Sequence, residues 1–143
     1  MKENHTIIRQ EYDIIKNDFA RAGEASSNIK KILRQLGIDS AKIRKTAIAT
    51  YEAEMNIVIH SNGGKIIFSI SEDKIKIGAH DRGPGIKDIG LAMQEGYSTA
   101  SNKVRELGFG AGMGLPNIKR CADNLTIDSK EGEYTRLDME ILL

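Results

Sequence analysis

Glu52 and Asn56 stand four positions apart in a stretch of helical periodicity, so a carboxylate and an amide climb one face of a helix, with His60 one turn further on. A carboxylate so placed can take a proton from an attacking hydroxyl or water. The amide oxygen of Asn56 can ligate Mg²⁺, an ion that usually keeps waters and substrate phosphates as its other ligands. Taken singly, each reads as an ordinary polar residue of a helix. Next comes Asp81-Arg82-Gly83-Pro84-Gly85, where an acidic residue ends a strand and enters a turn. Gly83 and Gly85 open backbone angles closed to other residues and let a flat ring approach the main chain. The Asp81 carboxylate can accept a hydrogen bond from an exocyclic amine such as that of adenine. On its own this stretch reads as a Gly-Pro turn capped by an aspartate. The third group is the run Gly108, Gly110, Gly112 and Gly114. It offers backbone N–H groups leading into a helix start near Leu115-Pro116, which is a ready anion site. Its spacing is not G-x-G-x-x-G, and no G-x-x-x-x-G-K-[ST] occurs, so a dinucleotide domain and a P-loop are disfavoured.

The elements that must position these groups can be read from periodicity. Thr6 to Tyr12 reads as a strand. Phe19, Ala22, Ser26, Ile29, Leu33 and Leu36 step by three and four as one buried helical stripe, stopped by Gly37. Asp39-Ser40 offers caps for a second helix to about His60, on which Ile48, Tyr51, Met55, Val58 and Ile59 gather on one side. Asn62-Gly63-Gly64 ends it. Ile66, Phe68 and Ile70, then Ile75, Ile77 and Ala79, alternate on either side of a turn at Glu72-Asp73 and predict a hairpin. Asp88 to Gln94 reads as a short helix and Gly96 to Gly114 as a functional loop. Pro116, at a first helical position, opens a helix through Ile118 and Cys121. Leu125 and Ile127 mark a strand, and Leu137, Met139 and Ile141 the last one. The expected architecture is α+β: a two-layer sandwich in which helices cover one face of a mixed, mostly antiparallel sheet.

With 143 residues the chain is expected to form a single domain spanning 1–143. Its 21 basic and 20 acidic residues leave a net charge of +1, which implies no general nucleic-acid or membrane surface. The single cysteine, Cys121, excludes an internal disulfide and a cysteine-based zinc site, and its surroundings suggest a small buried hydrophobe. No apolar run approaches the ~18 residues that span a bilayer, and the N-terminus lacks a signal-peptide profile, so the expected compartment is cytoplasmic. A homodimer through the surface of the first strand and helix stays open.

Glu52-x-x-x-Asn56, Asp81-x-Gly83-x-Gly85 and Gly110-x-Gly112-x-Gly114, in this order and at these separations, resemble the three nucleotide-binding boxes of the GHKL ATPase/kinase superfamily. Three boxes in register are far more specific than any one of them. The short length, the stretch Glu95-Gly96-Tyr97-Ser98-Thr99 and the run Gly110 to Arg120 are similar to the anti-sigma serine kinases of the RsbT/RsbW type. The resemblance implies ATP and Mg²⁺ as cofactors, with Asp81 on the adenine amine and Asn56 holding the metal. It also implies Thr99 at the base of an ATP lid, glycines that wrap the phosphates, and Thr135 beside the adenine pocket. Two positions depart from the family pattern. Tyr134 stands where a glycine often precedes the threonine, which bears on the pocket's rear wall. The lid also carries Ala100 to Leu107, longer than in the shortest relatives, where Lys103 or Arg105 either reaches phosphate or merely solvates the loop.

Two functions of different classes follow from the resemblance. One is a protein serine/threonine kinase that phosphorylates a small STAS-type antagonist protein, with Glu52 as catalytic base. The other is a non-catalytic, ATP/ADP-gated switch that sequesters a sigma factor or regulator. A third reading, a detached histidine-kinase catalytic domain, lacks the dimerisation helix pair. None of His5, His60 and His80 sits in a phosphoacceptor context.

Overall fold

The computed structural model describes residues 6–86, 88–94 and 114–143. Five strands form one sheet in the order β1-β2-β3-β5-β4, comprising β1 (Thr6–Ile14), β2 (Gly64–Ser71), β3 (Lys74–Arg82), β4 (Asn124–Lys130) and β5 (Tyr134–Leu142). The helices are α1 (Glu24–Gln35), α2 (Ser40–His60), the single turn α3 (Ile89–Ala92) and α4 (Gly114–Cys121). The expected α+β sandwich is the observed one. All four ladders are antiparallel, so the described strands contain none of the parallel pairing that the word "mixed" anticipates. Short hairpin connections between β2 and β3 and between β4 and β5 account for two of the four ladders, because they can only join antiparallel neighbours.

Alternation decides the two faces of the sheet. Ile66, Phe68 and Ile70 of β2, Ile75, Ile77 and Ala79 of β3, and Leu137, Met139 and Ile141 of β5 are buried beneath the helices. The opposite face is polar and laced with ion pairs, among them Lys74–Glu140 at 3.2 Å and Lys65–Glu11 at 3.5 Å. Register couples the hairpin to its neighbour: Ile77 lies opposite both Phe68 and Met139, so inward side chains from three strands meet in one layer.

The helices start and stop for identifiable reasons. The Asp39 carboxylate accepts from Ala41 N–H at 3.1 Å and caps α2. Gly37, at φ +72°, turns the chain out of α1 in the left-handed conformation that its position requires. The stripe from Phe19 is helical only from Glu24, because Asp18 to Gly23 form turns that deliver Phe19 and Ala22 to the core from outside the helix. Pro116 is the third residue of α4, not the first, which still costs no intrahelical bond.

α2 lies over the middle of the sheet between α1 and α4. Its buried face differs from the expected one. Ile48 and Tyr51 are exposed, while Thr46, Thr50 and Glu54 are buried. The threonines can be buried because each hydroxyl donates to the carbonyl four residues back, Thr46 to Lys42 at 2.8 Å and Thr50 to Thr46 at 2.7 Å. Glu54 has a larger role. The residue preceding α1 is Gly23, which has no side chain to cap the helix. The Glu54 carboxylate does so from α2, accepting from the N–H groups of Gly23, Ala25 and Ser26 at 3.0, 3.3 and 3.2 Å. Burial pushes its pKa up while these three donors pull it down. Ser26 Oγ adds a bond to the Ala47 carbonyl at 2.9 Å.

Replacing Glu54 with alanine would strand those donors in the core. The expected cost is ~3 kcal/mol, lowering Tm by roughly 6–12 °C in thermal unfolding followed by circular dichroism. An unchanged Tm would show that α1 does not depend on this cap.

Candidate active site

β3 is the central strand, and Asp81 stands near its end, opposite Gly64 of β2 and Thr135 of β5. A β-carbon on Gly64 would lie 2.4 Å from the His80 carbonyl oxygen and 2.9 Å from Asp81 Cβ, so only glycine fits beside the aspartate. The spacing of motifs misses this residue; Gly63-Gly64 reads there simply as the end of a helix.

The turn after Asp81 is fastened on both sides. Arg82 N–H donates to the Gly63 carbonyl at 3.0 Å, and Asn62 N–H donates to the Arg82 carbonyl at 2.6 Å. On the other side Gly83 N–H donates to the Glu133 carbonyl at 3.1 Å and Gly132 N–H to the Pro84 carbonyl at 2.7 Å. Gly83 and Gly85 are both close approaches. A β-carbon at 83 would meet Ser61 Cα at 2.9 Å, and one at 85, where φ is +70°, would meet the Lys130 carbonyl oxygen at 2.5 Å. Glycine is therefore required here by packing alone. Ser129 completes the support. Its hydroxyl accepts from Ile86 N–H at 2.7 Å and lies 3.1 Å from Thr135 Oγ1. In the sequence its only signal is its phase, inward with Leu125 and Ile127.

Asp81 Oδ1 accepts from Thr135 N–H at 3.2 Å. Among the described residues Oδ2 has no partner, so the carboxyl offers one acceptor to whatever enters. Burial raises its pKa from 3.8 to about 6, against the Thr135 N–H, which lowers it. Thr135 itself is buried. Tyr134 faces away from it: the ring lies under Arg136 at 5.2 Å and the hydroxyl donates to Asp128 at 3.2 Å. The departure at position 134 thus falls on the open face of the sheet and leaves the rear wall to Thr135 and Ser129.

Glu52 and Asn56 form a second cluster, on the side of α2 that faces α4. A β-carbon on Gly114 would sit 3.3 Å from Asn56 Oδ1 and 3.5 Å from Glu52 Oε2, so both oxygens converge on the N-terminus of α4. An amide and a carboxylate oxygen so placed suit a hard divalent cation, and the helix start suits anionic oxygens. Asn117 of α4 donates to Glu52 Oε1 at 3.3 Å, a contact with no counterpart in the expected site. His60 is half-buried, and burial lowers its pKa.

The two clusters are joined by the end of α2. From Asn56 to Ser61 the helix rises about 8 Å, and Ser61 and Asn62 pack directly against Gly83. Of the expected site residues, Asp81, Gly83, Gly85 and Thr135 are gathered at the β3 end, and Glu52, Asn56 and Gly114 at the α2–α4 junction. Thr99, Gly108, Gly110 and Gly112, with Lys103 and Arg105, lie outside the described residues. A cleft of about 280 Å³ opens elsewhere, between β1 and the start of α1, lined by Tyr12, Asp18, Arg21 and Glu54 among others.

An antiparallel sheet under helices, with an acidic glycine turn at its centre and a Glu–Asn pair on the covering helix, defines an ATPase-type domain. The chain belongs to the family described as the histidine kinase-like ATPase domain, which matches residues 15–141. It falls in the RsbT/RsbW-like branch. It is 34% identical over 134 residues to Serine/threonine-protein kinase RsbT of Bacillus subtilis (strain 168), covering 91% of this chain and 89% of that one. It is 37% identical over 100 residues to Anti-sigma F factor of Thermoanaerobacter sp. (strain X514), covering 66% and 65%. Its fold is shared with a chain in the crystal structure of the SiaB-SiaC complex from Pseudomonas aeruginosa. That match has a TM-score of 0.58 at 14% identity and covers 95% of this chain and 89% of that one.

The raised pKa of Asp81 carries a stability cost with a definite sign. Below about pH 3 the carboxyl is protonated in both folded and unfolded chains, and the cost is absent. As pH rises towards about 6 the unfolded chain gives up this proton first, so the folded state loses stability, and the loss is complete above that point. The full linkage value would be ~3 kcal/mol, and solvent reaching the half-exposed group reduces it to ~1–2 kcal/mol. Asn at this position keeps an oxygen for Thr135 N–H and has no charge to bury. Asp81→Asn is therefore expected to stabilise the unliganded protein by that amount at pH 7.5 in urea unfolding, with the difference vanishing near pH 3.

Proposed function

We propose that this protein is an ATP-dependent protein serine/threonine kinase of the anti-sigma-factor type. It phosphorylates a serine or threonine on a small STAS-type antagonist protein in the cytoplasm, and so controls a transcriptional regulator. The observation that carries this reading is the convergence of Glu52 Oε2 and Asn56 Oδ1 on Gly114, which puts a proton acceptor beside an anion-binding helix start. The relatives named a serine/threonine kinase and an anti-sigma F factor support the same reading.

In this reading Asp81 Oδ2 accepts from the adenine amine, while Gly83, Gly85 and Thr135 shape the pocket around the ring. Gly108, Gly110, Gly112 and Gly114 supply backbone N–H groups for the phosphates, and Thr99 stands at the base of the lid. Asn56 would hold Mg²⁺, which when bound offsets charge on the phosphate oxygens. Glu52 takes the proton of the attacking hydroxyl as its oxygen bonds to the γ-phosphorus and the bond to the ADP oxygen breaks. Most of the rate then comes from positioning and charge neutralisation. The anti-sigma F factor relatives also favour a second reading, in which the same pocket gates the sequestration of a sigma factor or regulator.

Two substitutions separate binding from chemistry. Asp81→Asn should abolish Mg-ATP binding in calorimetry. The amide oxygen would stay on Thr135 N–H, turning an NH₂ donor towards the amine of the ligand. Undiminished affinity in that variant would remove Asp81 from the pocket. Glu52→Gln should bind Mg-ATP normally and lose at least 100-fold in radiolabel transfer to a small STAS-type protein, in keeping with the worth of general-base catalysis. Retained transfer would exclude Glu52 as the base.

A further inference from the structure

Asn117 ends the first turn of α4 and is half-buried between two charged side chains. Its amide nitrogen donates to Glu52 Oε1 at 3.3 Å, and its amide oxygen accepts from an Arg120 guanidinium N–H at 3.2 Å. A carboxylate only accepts and a guanidinium only donates, so the amide between them has a single orientation, oxygen towards Arg120 and nitrogen towards Glu52. The three side chains form a relay of one polarity that crosses from α4 to α2.

We propose that Asn117, oriented by Arg120, is a positioning residue that commits Glu52 Oε1 and leaves Oε2 as the oxygen that meets the reacting hydroxyl. The proposal rests on the reading of Glu52 as proton acceptor. Oε2 is the oxygen that faces Gly114, 3.5 Å from where a β-carbon would stand there. Neither a neutral amide nor a guanidinium takes up a proton, so the relay orients without draining: the O–H bond of the acceptor breaks, an Oε2–H bond forms, and that proton leaves only to solvent or product. The hydroxyl oxygen bonds to the γ-phosphorus while the bond from that phosphorus to the ADP oxygen breaks and its electron pair departs with ADP. Because Glu52 and Asn117 stand on different helices, the same hydrogen bond also sets the spacing between the base and the N-terminus of α4. Phosphoryl transfer is sensitive to such placement.

The test is single-turnover transfer of labelled phosphate from Mg-ATP to the same STAS-type acceptor. For Asn117→Ala the transfer rate should fall about 10-fold, while the apparent ATP constant stays within about twofold. Asn117→Asp fills the same volume and still accepts from Arg120, but it cannot donate and sets a like charge against Glu52, so it should be at least as slow as the alanine variant. A mere packing role would rank it above alanine. In a Glu52→Gln background Asn117→Ala should cost nothing further. Wild-type rates in Asn117→Asp, or a full 10-fold loss added to that of Glu52→Gln, would overturn the relay. A second readout needs no activity: the Asn117 side-chain NH₂ signals in ¹⁵N-correlated spectra of the unliganded protein should move on Glu52→Ala. If they stay put, the relay fails and the role of Glu52 stands on its own. If they move but Glu52→Gln transfers phosphate normally, the reading of Glu52 as base fails and the positioning proposal goes with it.

Discussion

The structure turns on a carboxylate that helix periodicity would assign to no function. Glu54 is buried on α2 and accepts three N–H groups from the start of α1. Two residues along a helix is a rotation of about 200°, so Glu54 points one way and Glu52 and Asn56 the other. α2 is consequently held on one flank by the cap it gives to α1, and on the other it presents its site residues to α4. If the helix rotated to release Glu54, three donors would lose their partner in the core. The rotational setting of the site pair is thus fixed by an interaction that never touches the site.

The Asp81 end of the pocket works on a different principle. Its carboxyl is half-withdrawn from water and given one hydrogen bond where two or three would be needed to hold its pKa down, hence the value of about 6. Among the described residues its second oxygen has no donor, which is costly until one reaches it. Around it the backbone is rigid. β3 is paired on both sides, and the turn beyond it is tied to the exit of α2 and to the β4–β5 hairpin. A partly desolvated carboxyl in a stiff frame favours a hydrogen-bond donor of fixed geometry.

Much of this was legible in the sequence, and the reason is local chemistry. The hairpin of Ile66–Ile70 and Ile75–Ala79, the Asp39 cap, and the four-residue step from Glu52 to Asn56 depend on near neighbours, which a periodicity can register. Glu54 was not legible, because its donors lie 28 to 31 positions away and a glutamate two places from Glu52 reads as solvated surface. Ile48 and Tyr51 misled for the converse reason. Thr46 and Thr50 satisfy their hydroxyls within the helix and so take the buried positions that apolar residues would otherwise claim. Gly64 and Ser129 act only through register: the one matters because Asp81 lies across the ladder from it, the other because the loop at Ile86 folds back onto β4. Asn117 and Arg120 were visible as residue types, but their order of donation appears only once the two helices are set side by side.

The pairing of β3 with β5 has a consequence for the order in which the protein is made. Asp81 and the Thr135 N–H that it accepts are 54 positions apart, and β5 enters the sheet between β3 and the earlier-synthesised β4. A nascent chain can pair β1, β2 and β3 and lay α2 upon them while β3 is still an open edge. At that stage the aspartate has neither its backbone donor nor the wall formed by Thr135 and Ser129. The surroundings of Asp81 are therefore complete only once β5 has inserted beside β3.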